Sequence, residues 1–381
     1  MTLRRLLLLL VVLGMAIFLV ACGQEEAAEE AAPEAEEEEA TAEGDFPPVI
    51  DMSVPFDEPL VLRLAHDDPI NWPGKDAPDP EHAFALMFKD YVERQTSGMV
   101  QIEMFGAGAL GSYRQTLEMV QTGSMDINIG TGSLGSFFQP FEVFTIPYVF
   151  RDDNVAYWVF EESEFWQDLM DRMEEETGIK VLAMGQNGVR NLTNNVRPIR
   201  SPADMEGIKF RVMESPVYVN LIESMGGSAV PIAWNELYTA LQTGVVDGQE
   251  NPVSTIAFGR IYEVQDYITM DGHVWSENVM SMNADIFNDL PIGVQQVILA
   301  GARYGARANN VSEAFLSNIL FFETIDENME VYFPTSSEME QFKNAAQPAV
   351  IEYLRTQVGD DVVDGFLGAV AEAETALGFR R

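Results

Sequence analysis

Cysteine, histidine and lysine are scarce in this sequence. Its 381 residues include one cysteine, three histidines (His66, His82 and His273) and five lysines (Lys75, Lys89, Lys180, Lys209 and Lys343). A single cysteine excludes an intrachain disulfide, and three scattered histidines add too few ligands for a Cys/His zinc site. Positive charge of any kind is in short supply: 22 Lys+Arg against 61 Asp+Glu leave a net charge of −39. A chain this acidic is repelled by phosphate backbones and by anionic lipid surfaces, which argues against nucleic acid as a partner. Hydrolase and nucleotide signatures are missing as well, with no HExxH, GxSxG or P-loop in the sequence. The apolar run over residues 6–20 falls short of the ~20 residues that span a bilayer.

What remains is a chain that folds. It is 47% hydrophobic and 22% charged, the balance of a globular protein, and its length suits two lobes of ~150 residues each. The acidity is uneven. Residues 25–45 hold 11 acidic residues and no basic one; setting them and Arg4 and Arg5 aside leaves 50 acidic and 20 basic residues, so the body from Phe46 onward carries −30. A lysine-poor acidic surface holds water and cations and keeps a protein soluble in concentrated salt; an ordinarily acidic exported protein is the plainer alternative.

The N-terminus reads as an address. Arg4 and Arg5 precede the apolar run, which ends in Leu19-Val20-Ala21-Cys22-Gly23. A basic start, an apolar middle and a small residue before the cut describe a secretory signal over residues 1–21. Its end resembles a bacterial lipobox, which implies that Cys22 is lipidated and becomes the mature N-terminus, placing the protein in the periplasm or at the cell exterior. Residues 22–55 follow as a self-repelling, apolar-poor tether.

From residue 60 the pattern alternates strands and helices: strand 60–65, helix 82–95, strand 100–105, helix 113–121, strand 126–130. This is the rhythm of α/β domains with mostly parallel sheets. One long helix is expected over 154–176, strands over 179–184 and 207–212, and a run of about 35 residues opened by Pro291 and long enough to span the molecule. An internal echo appears in LEMVQTGSMDINIG (117–130) and YTALQTGVVDGQEN (238–251): helix, Gln-Thr-Gly, two residues, Asp, strand. Glycine suits the position just past a helix, and the echo fits two similar lobes flanking a cleft.

Several motifs are open to more than one reading. Gly106-Ala107-Gly108-Ala109-Leu110-Gly111 and Gly130-Thr131-Gly132-Ser133-Leu134-Gly135 both match GxGxxG, but the acid expected at the end of the second strand is missing, so tight turns at a cleft edge account for them better than a dinucleotide site. His66-Asp67-Asp68 reads as a metal site or as an Asx-type turn before Pro69. Each histidine is read first as structural.

The most specific segment is residues 201–254. It contains Asp204-Met205-Glu206-Gly207-Ile208-Lys209-Phe210-Arg211-Val212, then Gly226, Pro231, Trp234 and Glu236. The run from Tyr238 through Gln242-Thr243-Gly244 and Asp247-Gly248-Gln249-Glu250-Asn251-Pro252 completes it. This closely resembles the DctP-type solute-binding proteins of tripartite ATP-independent periplasmic (TRAP) transporters. The similarity extends more weakly from about residue 60 to the C-terminus, through Gly108-Ala109-Leu110-Gly111 and Phe144-Thr145-Ile146-Pro147-Tyr148, and does not cover the first 55 residues.

The resemblance implies an α/β, two-lobed periplasmic-binding-protein fold (type 2-like) with a hinge cleft and a long helix spanning both lobes. Lobe I is expected over 56–187 with 277–317, and lobe II over 188–276 with 318–381. Arg211, ending a strand, would hold a ligand carboxylate with its planar fork. Asn251, expected at the end of a strand over 245–250, would help, with capping of a helix begun at Pro252 as its alternative. Arg190 would stand near the ligand as a second arginine, with an internal ion pair as its alternative, and Trp234 would lie against the ligand body, with a plain core position as its alternative. Asp67, Ser112, Tyr113 and Thr131 match contact positions of lobe I; Thr131 stands where sialic-acid-binding members carry a glutamate, which disfavours that ligand. The function implied is a receptor that captures an organic anion by an arginine clamp and cleft closure. It would deliver that anion to the small and large subunits of a membrane permease, with no cofactor and no metal. A ligand-presenting receptor for a membrane sensor and a secreted enzyme on the same scaffold are the alternatives.

Overall fold

The computed structural model describes residues 56–72 and 77–379. The signal, Cys22 and the acidic tether therefore lie outside the described residues. The chain enters through β1 (Leu60–Ala65), α1 (Pro80–Gln95), β2 (Val100–Phe105), α2 (Tyr113–Gln121) and β3 (Ile127–Gly130). After two 3-10 turns come α3 (Asp153–Glu162), α4 (Glu164–Thr177) and the 16-residue β4 (Ile179–Asn194). A second alternating run follows: β5 (Lys209–Val212), α5 (Pro216–Ser224), β6 (Ser228–Pro231), α6 (Trp234–Gln242), β7 (Gly248–Pro252) and α7 (Val253–Phe258). The 17-residue β8 (Tyr267–Asn283), α8 (Ala284–Asn288), the 29-residue α9 (Ile292–Leu320), β9 (Glu330–Tyr332), α10 (Ser336–Val358) and α11 (Asp360–Ala376) complete the described chain.

The nine strands of the described residues form one mixed sheet in the order β2-β1-β3-β8-β4-β7-β5-β6, with β9 added to β8. The expectation of mostly parallel pairing holds at the two ends and for the short β9, which runs parallel to β8. β1 runs parallel to β2 and β3, and β5 parallel to β6 and β7. In the middle β4 and β8 are antiparallel to each other and to their outer neighbours β7 and β3. These two strands are long because each serves both ends of the sheet: β8 pairs β3 near its C-terminus, and β4 pairs β7 near its own.

The echo read in the sequence is a structural repeat. Gly123 (φ 74°) follows α2 and Gly244 (φ 70°) follows α6, each in the left-handed conformation that ends a helix cheaply only for glycine. The aspartate three residues later does the same task in both copies. Asp126 accepts the backbone N–H of Arg63 on β1 at 2.7 Å, and Asp247 accepts that of Lys209 on β5 at 2.9 Å.

Two expectations need correction. The helix expected over 154–176 is two helices, because Ser163 takes an extended conformation (ψ 137°) and turns its hydroxyl to cap the Trp166 N–H at 3.2 Å. The strand expected to stop at 184 continues to Asn194. Gly185-Gln186-Asn187-Gly188, which has turn composition, is absorbed as a bulge: Gln186 faces Glu277 and Gly188 faces Ser276, so Asn187 is the extra residue, and Gly188 sits at φ 124°. The lobe boundaries expected at 187/188 and 276/277 fall on this bulge.

Three large apolar clusters fill the layers, with a small fourth around Ala65, Val120 and Met125. Leu62, Leu64, Phe84, Phe88, Ile127, Met282 and Ile298 pack α1 and α9 onto the β1 end of the sheet. Phe210, Val212 and Leu221 join β5 and α5 to Phe342 of α10, Phe366 of α11 and Phe144. Leu237, Ile256, Leu316 and Leu320 tie α6 and α7 to the far end of α9. That helix therefore contributes Ile298 to the first cluster and Leu320 to the third, and so spans both ends of the sheet.

Candidate ligand site

In an α/β sheet the carboxyl ends of parallel strands and the helix N-termini that follow them converge on one edge, and ligands collect there. Both ends of this sheet obey the rule toward one cavity of about 520 Å³, its mouth included. Asp67 and Asp68 follow β1, Ser112 and Tyr113 open α2 after β2, and Thr131 follows β3. From the other end come Arg211 on β5, Trp234 opening α6 after β6, and Asn251 on β7. Seven of the eight expected contact residues line this one cavity; Arg190 does not.

Arg211 is the feature of the wall that its own protein does not satisfy. The residue is 2% exposed. Its Nε donates to the Ile232 carbonyl at 2.7 Å, and no carboxylate among the described residues pairs with the guanidinium. Burial without a paired anion pulls its pKa down to about 10, against the pull of Glu250. A buried cation of this kind is costly unless something negative joins it.

Its neighbours differ in how much they have left to give. The Asn251 Nδ2 donates to Gln249 Oε1 at 2.6 Å, which leaves its second N–H. The helix it was expected to cap starts without a side-chain cap, so that alternative is set aside. Trp234 is the first residue of α6, and its ring edge lies so close to Gly259 that a Cβ there would sit 2.6 Å from Cη2; only glycine admits the indole. Ser112 is engaged as the N-cap of α2 in a capping box with Gln115. The Tyr113 N–H donates to Asp67 Oδ2 at 3.2 Å. Thr131 Oγ1 and the Nδ2 of Asn187 are buried without partners.

Arg190 departs from the expectation. It is wholly buried, 60 residues from its partner in sequence, and bonded to Glu250 through Nε (2.5 Å) and Nη2 (2.9 Å), with Nη2 also on the Glu250 carbonyl (2.7 Å). Tyr218 covers its face with the ring centroid 5.4 Å away. Beyond Glu250 lies His273, whose Nε2 is 3.2 Å from Glu250 Oε2 and whose Nδ1 is 2.9 Å from Asp271 Oδ2. Against the cost of burial, these cations hold Glu250 down at about 2, while Asp271 and Glu250 push His273 up to about 9. Here Arg190 stands behind the wall as half of an internal ion pair; its Nη1 has no partner among the described residues.

Acidic residues that the sequence did not assign to the ligand complete the cavity. Glu81, Asp68 and Glu214 line it together with Asp67. Glu81 is 1% exposed; it accepts the Asp68 N–H at 3.2 Å and lies 3.5 Å from His66 Nδ1. His66 cannot neutralise it, since burial drives that imidazole down to about 4, and it shares a 2.8 Å bond with His82. Burial and the neighbouring Glu81 raise Asp67 to about 7, and burial raises Glu81 itself to about 8. His66-Asp67-Asp68 is therefore part of a carboxylate wall. Among the described residues, no three His, Cys, Asp or Glu side chains are grouped as ligands for a metal ion.

Comparison with known proteins agrees with this geometry. The family model for bacterial extracellular solute-binding proteins of family 7, DctP, matches residues 75–357. A solute-binding protein of Verminephrobacter eiseniae is 36% identical over 223 residues, 58% of this chain and 66% of that protein. The ectoine-binding periplasmic protein TeaA of Halomonas elongata is 28% identical over 76% of this chain and 85% of its own length. Among solved structures, the sugar acid binding protein DctPAm of Advenella mimigardefordensis, in complex with galactonate, superposes with a TM-score of 0.77 at 28% identity, covering 83% of this chain and 99% of that one. With a two-ended α/β sheet, a cavity at its strand ends and a family match over most of its length, the chain belongs to the DctP family of bacterial extracellular solute-binding proteins, the receptors of TRAP transporters.

Proposed function

We propose that this protein captures an organic solute bearing a carboxylate and delivers it to the small and large subunits of a TRAP-type membrane permease. The observation that carries the reading is Arg211, a buried guanidinium that no carboxylate of the described residues pairs with, in a cavity that also presents Asn251 and Trp234. Its planar fork matches a carboxylate through two parallel hydrogen bonds, a geometry lysine does not reproduce. Relatives named for ectoine, 2,3-diketo-L-gulonate and galactonate support an organic acid as the solute class. In this reading Arg190 acts from behind the wall, holding Glu250 and β7 in place beneath Asn251. Closure is a hinge motion of lobes I and II about the bulge where Gln186 and Gly188 meet Glu277 and Ser276. The protein works outside the cytoplasm, tethered by a lipid on Cys22. A Cys22→Ala protein that still partitions with membranes contradicts that tether. The receptor reading is tested by titrating an organic-acid panel into wild type and Arg211→Ala: binding confined to wild type supports it, and equal binding by both overturns it.

A further inference from the structure

We infer that the solute is a zwitterion, its carboxylate held by Arg211 and its cationic nitrogen received by the carboxylates of Asp67 and Asp68. The inference rests on the receptor reading above and adds the second pole of the ligand. Four acidic side chains line the cavity, Asp67, Asp68, Glu81 and Glu214, against two arginines. One of these, Arg114, is engaged with Glu118 at 3.3 Å, which leaves Arg211 alone. A simple carboxylate entering here meets one cation and a wall of acidic groups that offers it no second positive charge.

That wall lacks a counter-ion in the same way that Arg211 lacks one. Among the described residues no lysine or arginine pairs with Asp67, Asp68 or Glu81, and the imidazole beside Glu81 is held neutral. The protein's own answer is to keep protons on these groups: burial raises all three, and the neighbouring Glu81 adds to the rise of Asp67 and Asp68. A protonated amine or amidinium gives them the partner that the fold withholds. The two poles also sit on different parts of the sheet, Asp67 and Asp68 past β1 and Arg211 on β5. A ligand with both charges bridges the two ends and neutralises both. A hydroxylated acid or a metal-assisted carboxylate would use the same wall differently, and both belong in the test.

The experiment is calorimetric titration of the purified protein with matched triads on one skeleton, such as L-glutamate, 2-hydroxyglutarate and glutarate, together with cyclic amidine carboxylates such as ectoine. Each acid is run with and without added calcium. The zwitterion of the bound skeleton binds at least tenfold tighter than its hydroxy and unsubstituted partners, and Asp67→Asn removes that preference while raising the melting temperature of the empty protein at pH 8. Tighter binding of the hydroxy or plain acid overturns the inference, and so does a plain acid that binds only with calcium. Tighter acid binding by Asp67→Asn, with Arg211→Ala still inactive, removes the zwitterion and leaves the carboxylate receptor standing. An Arg211→Ala protein that keeps full affinity removes both.

Discussion

Replacing Arg211 by alanine separates two quantities that a structural arginine would lose together. This guanidinium is 2% exposed, has one backbone acceptor and pairs with no carboxylate among the described residues. Its removal relieves a desolvated charge, and trading buried charge for neutral side chains is often neutral or stabilising. In the complex the same substitution strands the ligand carboxylate in a closed site, a loss of ~3–5 kcal/mol for an unpaired buried charge. At about 1.4 kcal/mol per decade this weakens Kd roughly two to four decades. Denaturant unfolding of the empty proteins and calorimetric titration of the solute read the two terms independently. Stability unchanged or raised, with affinity lost, is the expected pair. A variant that unfolds several kcal/mol more easily yet keeps its affinity refutes the reasoning, because Arg211 is then part of the scaffold.

The buried pair behind the wall has the opposite signature. Glu250→Gln leaves Arg190 without its anion, so the empty protein should lose ~3–5 kcal/mol in denaturant unfolding; a loss under ~1 kcal/mol would mean that the Arg190–Glu250 pair is not holding β4 to β7. Stability should also fall as pH rises from about 6.5 to 9. Beyond the point where the unfolded chain has released them, Asp67 and Glu277 keep protons in the folded state up to about 7, Glu81 and Glu313 up to about 8 and His273 up to about 9. The folded state binds more protons across this window, so the slope of stability with pH is negative; a melting temperature that rises with pH would contradict these assignments. Finally, a body carrying −30 repels itself, and screening relieves that repulsion. The melting temperature should climb between 0.05 and 2 M NaCl, and a flat profile would remove the salt-adapted reading of the surface.

The elements of the two alternating runs were legible because period, turn residues and capping all agree there. β1, β2 and α2 carry the bounds that the sequence suggested, and the Gln-Thr-Gly echo marks a repeated helix–turn–Asp unit whose aspartates grip neighbouring strands. What local pattern could not show was the middle of the sheet. Gly185 to Gly188 reads as a turn, and only the pairing of β4 with β8 turns it into a bulge. The resemblance over residues 201–254 brought Arg211, Trp234 and Asn251 to the cavity together. For Arg190 an internal ion pair stood only as the alternative, because its partner Glu250 lies on another strand and β4–β7 register is a tertiary fact. The carboxylate wall escaped for a related reason: Glu81 reads as an ordinary acid in the first turn of α1, and Asp68 as a turn residue before Pro69. The fold alone brings the start of α1 against the end of β1.

The central claim is that Arg211 holds the solute by its carboxylate, and the most direct measurement is a crystal structure of the solute complex. The account predicts both carboxylate oxygens within about 2.7–2.9 Å of the Arg211 guanidinium, the spacing of charge-assisted bonds. A solute whose carboxylate points to solvent, or is held by other residues with Arg211 left unpaired, would contradict it.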